Sequence, residues 1–158
     1  SPDEFDAKKV ISKLQDIGQF ELFEEARGTL HCSLDGIKLS FLQYDYPMIK
    51  PFLLLRLLKL ADIFDIALMK LSALSGRGAK KDFIDLYFIL QHFNLTELLD
   101  AFSEKYGAGL GNHYHLLKSL VYFKDAEPEP MPRMIQPVEW KEVKMFMVNK
   151  VKEMGFAL

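Results

Sequence analysis

A single cysteine, Cys32, in 158 residues excludes an internal disulfide and favours a reducing compartment. Neither sign of charge is in excess. Twenty Lys and Arg stand against 22 Asp and Glu, and a net charge of −2 argues against a protein that coats nucleic acid. A long unbroken apolar run is missing too. PFLLLRLLKLADIFDIALMKL comes nearest to a membrane span, but Arg56, Lys59, Asp62, Asp65 and Lys70 interrupt it. The acidic start SPDEFD has none of the marks of a signal peptide, and no internal repeat or low-complexity tract is visible. These absences predict a cytoplasmic protein with no membrane partner. What is present is ordinary for a globular chain: 49% apolar and 27% charged residues, with thirteen Phe and seven Met to fill a soft interior. The length suits one domain with a real core.

Local patterns divide the chain into a β-rich first third and a helical remainder, so the predicted class is α+β. Ser1, Pro2 and Glu4 match a capping box with proline at the first helical position. The helix they predict runs to about Ile17, with Val10, Leu14 and Ile17 on one face and Gly18 as its stop. A chain that opens directly into a helix predicts further sequence upstream. Phe20 to Leu22 is a short candidate strand. Leu30, Cys32 and Leu34 alternate with polar residues, Asp35-Gly36 makes a two-residue turn, and Ile37, Leu39 and Phe41 alternate on the return, which is a β-hairpin pattern. Residues 53–60 read as one short strand leading to Asp62, a candidate helix cap. Helices follow over roughly 63–75, 80–92, 95–106, 112–123 and 138–154. Asn94 with Glu97 repeats the capping-box pattern, and Gly107 to Gly111 makes a flexible joint. Four prolines and three acids make 125–137 an extended loop. The expected organisation is an α/β core over 1–60 and a helical region over 61–158, packed as one domain.

The segment DIALMKLSALSGRGAKKDFIDLYFIL, residues 65–90, carries charge where a plain core does not want it. Asp65 and Lys70 sit in the first of its two apolar helices and Asp82 and Asp85 in the second, with Arg77, Lys80 and Lys81 between them. Buried charge is costly unless paired or bound to an ion. A helix start flanked by cations suits an anion such as a phosphate. Asp82 and Asp85, three apart, share a helix face. The plain alternative is a pair of first-turn acids favoured by the helix dipole and by water. Lys70 either snorkels to solvent or reaches a ligand or an acid. Asp65, five residues away and about 140° round an ideal helix, is not its partner. An aspartate of the next helix, Asp82 or Asp85, is the natural one, and Arg77 is expected near the same cleft. Other constellations are weaker. His113 and His115 at a helix start lack the further ligands of a zinc site. His31 and Cys32 point to opposite faces of a strand. The glycines of 107–111 lack the strand–turn–helix setting of a dinucleotide loop.

Asp65-x4-Lys70-Leu-x-Ala73-Leu, then Arg77, then Lys81-Asp82-x-x-Asp85-Leu86, resembles the C-terminal motifs of the AbiEii/AbiGii toxin family of nucleotidyltransferases. SPDEFD, LDGIKLSFLQY, HYHLLKSLVYFKDAE and the final W-x-x-V-K-x-F helix resemble one branch of that family, so the likeness spans nearly the whole chain. The resemblance implies a partial nucleotidyltransferase-like sheet followed by a helical C-terminal region. It implies catalytic roles for Lys70, Asp82 and Asp85 and substrate binding by Asp65, Arg77 and Lys81, with no metal ligand assigned. Mg²⁺ and a nucleoside triphosphate are its expected cofactors. The expected partners are a cognate antitoxin, a second copy of the chain, and RNA as a possible acceptor.

The family's Gly-Gly-Ser/Thr element and Asp-x-Asp metal pair are not in these 158 residues, and the strand Ile37 to Phe41 carries no third carboxylate. Nucleotidyl transfer uses about two divalent cations held by clustered carboxylates. Lys70, Asp82 and Asp85 do not make that centre, so the expected enzyme is the back two-thirds of a toxin-type nucleotidyltransferase, inactive alone. A non-enzymatic interaction module or nucleotide-binding protein is the competing expectation.

Overall fold

A computed structural model describes residues 5–107 and 112–155. It has two compact units, Ser1–Pro47 and Met48–Leu158. The boundary therefore falls before the segment 53–60, which belongs with the helices.

The first unit holds helix α1 (Ala7–Gln15) and a three-stranded antiparallel meander, β1 (Phe20–Ala26), β2 (Thr29–Leu34) and β3 (Ile37–Leu42), in the order β1-β2-β3. The Ser1–Glu4 capping box lies outside the described residues. Helix α1 is capped by Asp6, whose carboxylate accepts the Lys9 N–H at 3.1 Å. The helix also stops earlier than its apolar pattern predicts. Val10 and Leu14 are half-buried, but Ile17 lies past the end and is exposed. Gly18 is needed for a different reason than helix termination: a Cβ there would sit 2.7 Å from the Asp35 carboxylate, which accepts the Gln19 N–H at 2.8 Å.

The Asp35-Gly36 turn forms as the sequence predicts, with φ of 51° and 79°, the left-handed pair that matches the twist of a tight hairpin. Leu34 pairs with Ile37, Cys32 with Leu39 and Leu30 with Phe41. Alternation then buries Leu30 and Cys32 completely on one face. Strand β1 is longer than expected and is irregular between Leu22 and Glu24. It is an edge strand, exposed along nearly all its length, and its three glutamates suit an edge that must not pair with a stranger.

The second unit opens on a small hairpin, β4 (Leu53–Leu55) and β5 (Leu58–Leu60), where a single strand was expected. The reversal comes at Arg56, which adopts φ 55°, and Leu57 is fully exposed beside it. Five helices follow: α2 (Ile63–Gly76), α3 (Lys80–Ile89), α4 (Leu95–Tyr106), α5 (His113–Ser119) and α6 (Trp140–Glu153). Asp62 caps α2 through the Phe64 N–H and Asn94 caps α4 through the Thr96 N–H, both at 2.8 Å. Helix α2 packs against α3, α4 and α5, which explains why its sequence is apolar on nearly every side. Phe83, Phe102, Leu68, Leu98, Leu116 and Met147 are among the fully buried residues of the resulting core. Helix α5 ends four residues short of its expected limit. The chain then turns and sets Phe123 against Phe83 and Trp140, with ring centroids 5.1 and 5.8 Å away. Of the glycine joint, Gly107 ends α4 at φ 77° and residues 108–111 lie outside the described set.

Candidate functional site

Lys70 sits about midway along α2, and Asp82 and Asp85, three residues apart, share a side of α3, Asp82 buried and Asp85 exposed. The short connection Arg77–Ala79 folds the two helices together and brings the three side chains to one point. Lys70 Nζ lies 2.9 Å from Asp82 Oδ1 and 2.7 Å from Asp85 Oδ2. The environment is graded. Asp82 is almost buried, Lys70 is about a quarter exposed, and the Asp85 side chain is 49% exposed. Burial opposes the Lys70 charge, but hydrogen bonds to Asp85 and Asp82, and their negative charge, outweigh it and hold the ammonium above its ordinary value. The expected pairing across the turn is therefore present, with both aspartates.

The other predicted site residues are placed differently. Arg77 is exposed at the end of α2 and forms no ion pair with either aspartate. Lys81 is exposed one turn from Asp85, and the two line the same cleft. Asp65 is not at the site. Its side chain is wholly buried, and so is that of Lys105 on α4, which donates to Asp65 Oδ1 at 2.6 Å. The same carboxylate accepts the N–H groups of Ile49 and Lys50, at 3.0 and 2.8 Å. Burial would raise the Asp65 carboxyl. Lys105 and the two N–H groups more than reverse that and hold it below the usual aspartate range. Asp65 is a structural anchor: both its carboxylate oxygens accept hydrogen bonds from within the unit, three in all. Lys105 was missed in the sequence. Its signal was its position, seven after Leu98 and three after Phe102, on the apolar stripe of α4.

The basic turn is also reassigned. The first N–H of α3, that of Lys80, is taken by the Glu129 carboxylate at 2.7 Å. Lys80 Nζ donates to the carbonyl oxygens of Glu127 and Glu129 and lies over the Trp140 ring, 5.2 Å from its centroid. The anion expected at this helix start is thus supplied by the chain's own 125–137 loop. Glu127 also accepts from Trp140 Nε1 and Lys144, which lower its carboxyl. The predicted extended loop is therefore tied down at Glu127 and Glu129.

His113 and His115 each turn a ring N–H to a backbone carbonyl, of Leu99 and Ser75 respectively. His31 contacts Ser40 and Cys32 is buried. The donor set at Lys70 does not fit a Mg²⁺ ion: its two carboxylates already share an ammonium. Among the described residues no three His, Cys, Asp or Glu side chains are grouped to hold a metal. No helix there is long and apolar enough to cross a membrane.

Asp85 is also part of a cleft of about 430 Å³ between α3 and residues 132–136. Lys81, Ile84 and Phe88 complete the α3 wall, and Arg133 and Met134 stand opposite.

No protein-family model matches the chain, and no solved structure does. An uncharacterized protein of the bacterium Aquifex aeolicus (strain VF5), aq_aa25, is 37% identical over 153 residues, which are 94% of this chain and 72% of that protein. With that identity over nearly its whole length, the chain belongs to the family of this uncharacterized Aquifex protein.

Proposed function

We propose that the chain is the nucleotide-handling part of a nucleotidyltransferase of the AbiEii toxin type, acting within a toxin–antitoxin or phage-defence pair. Such an enzyme moves a nucleotide from a nucleoside triphosphate to an RNA or protein acceptor. The observation that carries the reading is Lys70 held between Asp82 and Asp85 at the margin of solvent. In this reading the three groups bind and orient nucleotide or acceptor. Mg²⁺ is the family's expected cofactor, and no step is assigned to it through these residues.

The test uses labelled ribonucleoside triphosphates with the 158-residue chain. The chain should bind nucleotide, Lys70→Ala should weaken binding about tenfold, and no label should pass to total RNA or protein. Absence of any nucleotide binding overturns the reading. Transfer of label that Lys70→Ala abolishes overturns the inactivity of the isolated chain. A second reading, an interaction module that binds a cognate antitoxin or its own copy, draws on the exposed leucines of β4 and β5.

A further inference from the structure

The cleft beside Asp85 combines two chemistries. Lys81, Ile84, Asp85 and Phe88 are spaced three and four apart along α3 and so share one face of that helix. Ile84 is buried, and Phe88 and Met134 are half-buried, which makes an apolar wall. Lys81 and Arg133 are exposed at the rim, and neither is drawn into an ion pair among the described residues. The volume, about 430 Å³, is that of a small-molecule site.

Charge decides which groups are free to take an anion. Lys70 faces two carboxylates, so the triad carries one net negative charge and is a poor seat for a phosphate. The start of α3 is closed by Glu129. Among the described residues, the cleft's two cations, Lys81 and Arg133, make no ion pair. Inorganic phosphate would leave the apolar wall wet, and a wholly apolar ligand would leave both cations unused. A ligand with a flat apolar part and an anionic tail uses both.

We propose that this cleft binds the nucleotide itself, the base lying on Phe88, Ile84 and Met134 and the phosphates on Lys81 and Arg133. Asp85 joins the cleft to the triad. It retains lone pairs after pairing with Lys70 and accepts from a hydroxyl or amino group of the nucleotide. The inference rests on the nucleotide-handling reading and goes beyond it by moving phosphate recognition away from Lys70.

The experiment is NMR of the full 158-residue chain with labelled Ile and Met methyl groups and backbone amides. It is titrated separately with each common ribonucleoside triphosphate, with adenosine and guanosine, and with tripolyphosphate. At least one triphosphate and its nucleoside should shift the Ile84 and Met134 methyls. Tripolyphosphate should shift only the Lys81 and Arg133 amides. Lys81→Ala with Arg133→Ala should weaken triphosphate binding about tenfold or more and leave nucleoside binding unchanged. Phe88→Leu, which keeps an apolar core residue, should weaken both. Triphosphate shifts confined to residues around Lys70 overturn the cleft and leave the nucleotide reading standing. Shifts from tripolyphosphate alone reduce the site to an anion patch and overturn it as well. No shift from any triphosphate overturns both.

Discussion

Lys105 and Lys70 both meet aspartates, but in surroundings that give them different energetics. The Lys105–Asp65 pair has no exposed side-chain surface. Removing one member leaves an uncompensated buried charge, so Asp65→Ala or Lys105→Met should each cost about 3–5 kcal/mol in urea denaturation. The double variant Asp65→Leu/Lys105→Met should cost clearly less than the two added, because no charge is left behind. Acid should act through the same group. The Asp65 carboxyl is lower in the folded state than its unfolded value of about 3.9, so its contribution is complete above that value. It is lost as pH falls through the folded value. Stability measured from neutral pH down to acid should therefore fall more steeply in the parent than in the double variant.

Lys70 has the opposite sign. Its folded pKa lies above the unfolded value of about 10.4, so its contribution is complete below that and lost as pH rises through the folded value. Lys70→Met should cost only about 1–2 kcal/mol near neutrality, since Asp85 is half-exposed and screened. That variant leaves Asp82 and Asp85 facing each other unneutralised. Its deficit should shrink as salt is added, which screens both that repulsion and the attraction in the parent, and denaturation at several ionic strengths would reveal it.

Helix α3 depends on a segment that is distant in sequence. Glu129 closes its first turn from 49 residues away, and Lys80 reaches back to the carbonyls of the same loop. Glu129→Ala should therefore destabilise α3 by about 1 kcal/mol, the size of a lost N-cap. Amide exchange at Lys80–Asp82 should speed up while α4 and α6 keep their protection. Unchanged exchange at those amides would show that the cap contributes nothing. Helices α2 and α4 carry their own caps in the preceding residue, Asp62 and Asn94, and were readable for that reason. Helix α1 begins at Ala7 behind its own cap, Asp6, and ends at Gln15, before Ile17. Asp6 is followed three residues later by the amide it binds, and the apolar face does not need Ile17.

Among the described residues, the β4–β5 hairpin gathers exposed leucines on a short segment. All six strand residues are exposed, five of them leucine, and Leu54 is 76% and Leu57 100% exposed. A two-stranded sheet this short is marginal by itself, and its open edges and apolar faces favour association. Sedimentation of the isolated chain should show mass increasing with concentration. Leu54→Lys with Leu57→Lys should restore a monomer without changing the helical circular dichroism signal. A monomer at all concentrations would count against an adhesive role for the hairpin.

Period, caps and turn chemistry act over a few residues, and what depends on them was determined by the sequence alone: the α+β class, the Asp35-Gly36 hairpin, the caps of α2 and α4, and the Lys70 pairing across a short connection. Tertiary structure decided whatever needed a partner from far along the chain. Asp65 looked like a ligand group until Lys105, forty residues on, met it in the core. The start of α3 looked like an anion site until Glu129 filled it. Charge in an apolar helix signals that a partner exists, but its identity depends on which elements pack together. Local sequence carries no term for that, and so the cleft joining Asp85 to Arg133 was legible only in the folded chain.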